Sequence, residues 1–110
     1  MYLENFSNLD DVIREFQIDQ KDVDGINVLL ALYTYEDYDG SAFVLFERGG
    51  VLYEVNGGHC SCYGLEEQWD PEETSAEALL YRLDNGSYFG GTYSYDCRDD
   101  LRKVLNKWEA

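Results

Sequence analysis

The chain has 110 residues, and residues 1–110 are expected to form a single domain. It carries 23 Asp and Glu against 8 Lys and Arg, a formal net charge of −15. This charge excludes a protein that holds phosphate backbones with its own positive field, and it disfavours attachment to an anionic membrane. Because 45% of the residues are hydrophobic and 15% are aromatic, the acidity does not indicate a disordered tail.

The first predicted element is an amphipathic helix. Apolar residues recur at helical spacing at Leu9, Val12, Ile13 and Phe16. Residues 7–10, just before this stripe, resemble a capping box, which marks a helix start.

Strands are predicted next. Residues 26–36, 41–48 and 51–56 are rich in Val, Leu, Phe and Tyr, the residues that favour strands. Gly49-Gly50 suits a two-residue hairpin turn between the second and third strands, and residues 37–40 form the turn before it. These segments predict a three-stranded antiparallel meander.

Two further amphipathic helices are predicted after the strands. The apolar positions of the second are Ala76, Leu79, Leu80 and Leu83, with a capping box at residues 74–77 and a C-cap at Asn85-Gly86. The apolar positions of the third are Leu101, Val104, Leu105 and Trp108, with Cys97 one turn earlier.

The expected fold is therefore α+β, with the order α-β-β-β-α-α. Three helices would cover one face of the three-stranded meander. The glycine- and aromatic-rich segments 57–64 and 87–95 are expected to make close turns, and the second could add a short strand.

The negative charge is concentrated in the first three quarters of the chain. Residues 1–81 hold 18 acidic and 3 basic side chains, whereas residues 82–110 hold 5 of each. The densest group is Glu66, Glu67, Asp70, Glu72, Glu73 and Glu77, followed by Glu36, Asp37 and Asp39.

This charge pattern favours a binding function. DNA carries one negative charge per roughly 1.7 Å of helix axis, so a rigid acidic surface can occupy the same basic groove. Exposed tyrosines are common at interface hot spots, and Tyr33, Tyr35 and Tyr53 alternate along the predicted strands. The acidic residues are therefore predicted to contact a basic nucleic-acid-binding protein or complex as phosphate imitations.

One segment also resembles known proteins. Residues 52–73, which read LYEVNGGHCSCYGLEEQWDPEE, resemble a segment of small phage and prophage proteins. In size and acidity the chain is similar in type to phage anti-CRISPR and anti-restriction inhibitors, several of which imitate DNA. The resemblance implies a target in a bacterial defence system and carries no residue roles.

Metal binding is the alternative from a different class. His59, Cys60, Cys62 and Cys97 have side chains of the types that can bind zinc, but the Cys-x-Cys spacing differs from the usual zinc pairs, and Cys97 lies on a helical apolar stripe. A small zinc-binding structural or regulatory module built on His59, Cys60 and Cys62 stays open. His59 and Cys60 make a poor nucleophile and base pair, because neighbours in an extended segment point to opposite faces.

The sequence therefore predicts an acidic inhibitor rather than an enzyme, with no cofactor. An immunity-type partner of a basic toxin is the second candidate of the same kind, and a homodimer stays open. The bacterial cytosol is the expected location, because three cysteines are too few for a disulfide framework and the first residues lack a signal-peptide pattern.

Overall fold

The structure is a computed structural model that describes residues 1–36, 39–59, 64–85 and 98–108. In chain order its elements are β1 (Tyr2–Glu4), α1 (Leu9–Phe16), a 3-10 helix (Gln20–Val23), β2 (Asn27–Glu36), β3 (Asp39–Arg48), β4 (Val51–His59), β5 (Glu72–Thr74), α2 (Ala76–Asp84) and α3 (Arg98–Lys107).

The strands form one five-stranded mixed sheet in the order β1-β2-β3-β4-β5. β1 pairs with β2 in parallel, and the other neighbours are antiparallel. The fold is α+β, but the predicted three-stranded meander and the order α-β-β-β-α-α are wrong. Both added strands have three residues, too few for a period-2 pattern, and β5 begins with two glutamates, which are depleted in strands.

Both faces of the sheet are buried. Phe43 and Leu45 of β3 belong to a core with α2 and α3, while Val44 and Phe46 belong to a second core with α1. Successive strand residues point to opposite faces, so this run of apolar residues indicates a strand that is covered twice. The expectation that all three helices cover one face is therefore wrong.

The helix boundaries follow from capping side chains. Asn8 caps α1 by accepting a hydrogen bond from the Asp11 N–H at 3.0 Å. Ser75 caps α2 by accepting one from the Ala78 N–H at 3.1 Å, so α2 starts from Ser75 rather than from a capping box over residues 74–77. Asn85 is the C-cap of α2.

The predicted turn over residues 57–64 is partly replaced by strand. Gly57 and Gly58 lie in β4, paired with Ala42 and Ser41 of β3. Of the remainder, residues 60–63 lie outside the described residues, as does the whole segment 87–95.

Gly57 permits a close approach between β4 and the chain that follows it. A Cβ at Gly57 would lie 3.1 Å from the Leu65 Cδ2 and 3.3 Å from the Phe16 Cε1. Leu65 and Phe16 are both fully buried in the α1-side core. The absence of a side chain at Gly57 therefore lets residues 64–70 pack onto the sheet.

We expect Gly57→Ala to destabilise the domain by about 1–3 kcal/mol, because the added methyl overpacks a buried contact. Gly58→Ala is the matched control, since a Cβ there would meet nothing within 4 Å. Chemical denaturation of both variants measures the difference. Equal free energies of unfolding for the two variants would contradict the close approach at Gly57.

Candidate acidic interface

The six carboxylates between residues 66 and 77, called the acidic segment here, follow one edge of the sheet. They start in the loop on the α1 side, continue along β5 and end in the first turn of α2. The members are Glu66, Glu67, Asp70, Glu72, Glu73 and Glu77. Five are exposed, and Glu66 is half-buried.

The loop part of the segment is anchored by apolar side chains. Leu65 is 1% exposed, and the Trp69 ring stacks on Phe46 with centroids 5.8 Å apart and an interplanar angle of 9°. Trp69 also meets Phe16 edge-on at 5.2 Å. These contacts place Trp69 among packing residues and hold Glu66 and Glu67 between two anchors.

Glu66 differs from its neighbours because its carboxylate has a local partner. Its two oxygens accept hydrogen bonds from the Gly64 N–H at 3.0 and 3.2 Å. Glu66 therefore stabilises the loop itself, whereas Glu67, at a φ of 64°, is exposed. The prediction treated Glu66 and Glu67 alike, and the structure separates them.

Glu72 and Glu73 lie on the edge strand. Glu72 pairs with Glu54 and Glu73 pairs with Tyr53, so their side chains project on opposite sides of the sheet. A short strand that carries charge protects a sheet edge against pairing with another chain, and Pro71 precedes it. This edge protection is a structural role that these two glutamates fulfil without any partner.

Glu77 lies in the first turn of α2, where the helix dipole favours a negative charge. It borders a shallow groove with Ser75, Ala78, Tyr81 and Arg82. Glu77 thus combines a favourable helical position with an exposed carboxylate.

In the part of the chain that the structure describes, no basic side chain forms an ion pair with the acidic segment. Among the described residues, none of the six carboxylates has an arginine or lysine nitrogen within 4 Å. The observed pairs lie elsewhere, at Arg14 with Asp11 and Glu15, Arg82 with Glu54, and Arg102 with Asp84.

Asp11 shows how a carboxylate outside the segment is used. The Ser7 N–H donates to Asp11 Oδ2 at 2.8 Å, and this bond, with the adjacent Arg14 guanidinium, lowers the pKa of Asp11 below its ordinary value. Because its pKa is lowered, the ionised Asp11 carboxylate stabilises the fold above the ordinary carboxyl pKa of roughly 4. This stabilisation is lost as acid protonates the group. Asp11 therefore supports the start of α1.

The second predicted acidic group lies at the end of the sheet away from β5, near the end of β4 that contacts residue 68 of the loop. Glu36 ends β2 and Asp39 begins β3, while Asp37 lies outside the described residues. Gly40, next to Asp39, pairs with His59 of β4. His59 lies five residues along β4 from Glu54, so the distance between these two residues is about 17 Å at roughly 3.4 Å per residue. The structure does not bring this group together with β5.

The two outer layers differ in charge. The layer on the α1 side, residues 9–25 and 64–70, called the acidic layer here, holds nine acidic and two basic side chains. The layer on the other side, residues 75–85 and 98–108, holds four acidic and five basic side chains. The excess negative charge of the described helices and loops is thus on one face and its adjoining edge.

Of the tyrosines predicted to alternate along the strands, Tyr33 is buried rather than exposed. Tyr33 is 4% exposed and packs on Phe6 with ring centroids 5.3 Å apart, so it belongs to the core. Tyr53 is half-buried and stacks on Phe46 at 5.5 Å. Among the tyrosines whose exposure the structure describes, the exposed one is Tyr81 of α2, at 69%. The sequence indicated this exposure, because Tyr81 lies off the predicted apolar stripe of α2.

A buried ion pair lies beside the acidic segment. The Arg82 Nη1 donates to both oxygens of Glu54, at 2.9 and 2.8 Å, and the Asn56 Nδ2 donates to Glu54 Oε1 at 3.0 Å. The Glu54 side chain is 7% exposed and that of Arg82 is 32% exposed. This network joins β4 to α2 and satisfies the one buried carboxylate in the described parts of the sheet.

The described residues show no arrangement of side chains that supports the zinc alternative. His59 ends β4, while Cys60, Cys62 and Cys97 lie outside the described residues. Within the described ranges, no three His, Cys, Asp or Glu side chains cluster so that they could hold a metal ion.

Comparisons with known proteins add no relative. No protein-family model, curated protein or solved structure matches this chain. The resemblance of residues 52–73 to phage proteins therefore stays a prediction. In the part of the chain that the structure covers, no helix is long and apolar enough to span a bilayer.

We expect Arg82→Met to lower the free energy of unfolding by about 2–3 kcal/mol, because it leaves the Glu54 carboxylate buried without its cation. Arg102→Met is the control, since its pair with Asp84 is exposed and should contribute less than about 1 kcal/mol. Urea denaturation measures both. A loss at Arg82 no larger than that at Arg102 would contradict the role of the buried pair.

Metal analysis of protein purified without chelator tests the module built on His59, Cys60 and Cys62. The acidic-interface account expects no stoichiometric zinc. About one zinc per chain, lost in a Cys60→Ser and Cys62→Ser variant, would establish the metal site instead.

Proposed function

We propose that this chain is an acidic binding protein that docks on the basic nucleic-acid-binding surface of another protein and blocks access to it. The observation that carries the proposal is the uneven charge of the two outer layers, together with the fact that no carboxylate of the acidic segment forms an ion pair within 4 Å in the described structure. Solubility alone does not require the charge to gather on one face and edge.

Keeping these negative charges together costs the folded chain free energy. Repulsion among unpaired carboxylates lowers the stability of the fold. A cationic partner relieves this repulsion when it binds, and the carboxylates take the place of phosphates in its groove. Such complexes associate fast and weaken with salt. The anchored loop and strand hold the carboxylates in place before binding, which limits the entropy lost on association.

The target predicted by the resemblance to anti-CRISPR and anti-restriction inhibitors is a bacterial defence system. This narrower proposal makes the partner a nuclease or a nucleic-acid-guided complex with a basic groove. An immunity-type role toward a basic toxin uses the same surface. Competition with nucleic acid distinguishes the two roles. If the chain occupies a nucleic-acid-binding groove, the chain and a duplex cannot bind that groove at the same time.

Capture from a nuclease-treated bacterial lysate tests the proposal. The tagged chain should enrich basic nucleic-acid-binding proteins at about 50 mM salt and release them at about 500 mM, where the Debye length is short. A duplex DNA added to the purified complex should displace the chain. Capture that persists at high salt, or a complex that DNA does not disturb, would contradict the proposal.

A pair of charge-matched variants tests the surface. Glu67→Gln with Asp70→Asn removes two exposed charges from the acidic segment, and we expect it to weaken binding about fivefold or more. Glu4→Gln with Asp99→Asn removes two exposed charges elsewhere, at β1 and α3, and should change binding less than about twofold. Titration calorimetry with the captured protein measures both affinities. Equal losses would mean that net charge, rather than this surface, determines binding.

A further inference from the structure

The side chain of Gln68 makes three short hydrogen bonds to backbone groups. Its Oε1 accepts from the Gly58 N–H at 2.7 Å, and its Nε2 donates to the Gly58 O and to the Gly64 O, each at 2.7 Å. One amide thus uses its acceptor and both of its donors. The contacts join β4 to the loop that carries Glu66 and Glu67.

The Gln68 side chain bonds to the edge of β4 at a point where a neighbouring strand would otherwise pair. β5 pairs only with Leu52, Tyr53 and Glu54, so the edge beyond Glu54 has no strand partner among the described residues. An antiparallel neighbour would both donate to and accept from an outward-facing residue. The Gln68 amide forms this same pair of bonds with Gly58.

The third bond fixes the start of the loop. Gly64 is held through its carbonyl by Gln68 and through its N–H by the Glu66 carboxylate. Leu65 is buried beneath this turn, against the space that Gly57 leaves open. The backbone from residue 64 to residue 68 is therefore tied at both ends, and Glu67 is presented from a fixed turn.

The amide is chemically required at this position. A carboxylate at position 68 could accept from the Gly58 N–H but could not donate to the two carbonyls. Positions 66, 67, 70, 72 and 73 around it are all acidic, whereas position 68 is neutral. The neutral residue stands where both a donor and an acceptor are needed.

We propose that Gln68 is a positioning residue that fixes the geometry in which the acidic segment meets its partner. The inference rests on the proposed function and adds that loop shape, besides charge, determines affinity. A rigid partner groove recognises carboxylates in one arrangement, so a loosened loop must be ordered again on binding. A flexible polycation adapts to any arrangement and responds to charge alone.

Three variants separate positioning from charge. Gln68→Met keeps the length and net charge and removes all three hydrogen bonds. Gln68→Glu adds one negative charge, so charge alone predicts tighter binding while positioning predicts weaker binding. Gln20→Met is the control, because Gln20 is an exposed glutamine of the 3-10 helix.

The first measurement is amide hydrogen exchange, which needs no partner. Gln68→Met should speed exchange at Gly58 and Gly64 by about tenfold or more, because local opening becomes easier. Circular dichroism and the melting temperature confirm that the variant is folded. Unchanged exchange at both glycines would overturn the positioning role, whatever the chain binds.

The second measurement is affinity for two probes. We expect Gln68→Met and Gln68→Glu to bind the captured basic protein about tenfold more weakly than the unchanged chain does. For a dodeca-arginine peptide, the affinity of Gln68→Met should stay within about twofold of that of the unchanged chain. Faster exchange with unchanged affinity for the protein, or tighter binding by Gln68→Glu, would overturn the inference. If the unchanged chain captures no basic protein, the proposed function fails, and the exchange result still decides whether Gln68 fixes the loop.

Discussion

Burial of the central sheet on both faces is the constraint on which the other features depend. β3 supplies Phe43 and Leu45 to one core and Val44 and Phe46 to the other, so neither face can be left to solvent. Two outer layers are needed, and the chain builds them from segments of different charge. α1, the 3-10 helix and residues 64–70 form the acidic layer, whereas α2 and α3 form a balanced one.

The acidic segment is not one uniform surface. Glu66 accepts bonds from Gly64, Glu77 lies at the start of a helix, and Glu72 and Glu73 protect a sheet edge. These four carboxylates have local uses in the fold. Glu67 and Asp70 are exposed and have no such use in the described structure, which makes them the clearest candidates for contact with a partner.

Much of the secondary structure could be predicted from periodicity, but the sheet could not. The stripe at Leu9, Val12 and Phe16 marks α1, and the apolar runs mark β2, β3 and β4. β1 and β5 are defined by pairing rather than by composition, because three residues carry too little pattern. The placement of α1 on the second face depends on the double burial of β3. The unbroken apolar run over residues 42–46 was a signal of this double burial, and the prediction did not use it.

The charge of the candidate site could be predicted from the sequence, but its geometry could not. The density of carboxylates after residue 65 was evident, but the separate role of Glu66 depends on a turn at Gly64. Gln68 carried no signal in the sequence, since its importance comes from reaching Gly58, ten residues away. One sheet face was expected to present some of Tyr33, Tyr35 and Tyr53, yet the second covered face places Tyr33 in the core.

The most direct test of the account is to map where a captured basic protein touches this chain. Hydrogen exchange of the chain, free and in the complex, reports protection segment by segment. The account predicts protection over residues 64–77, with α3 unchanged. Protection confined to α3 and the exposed side of α2 would contradict it, because the balanced layer would then be the one that binds.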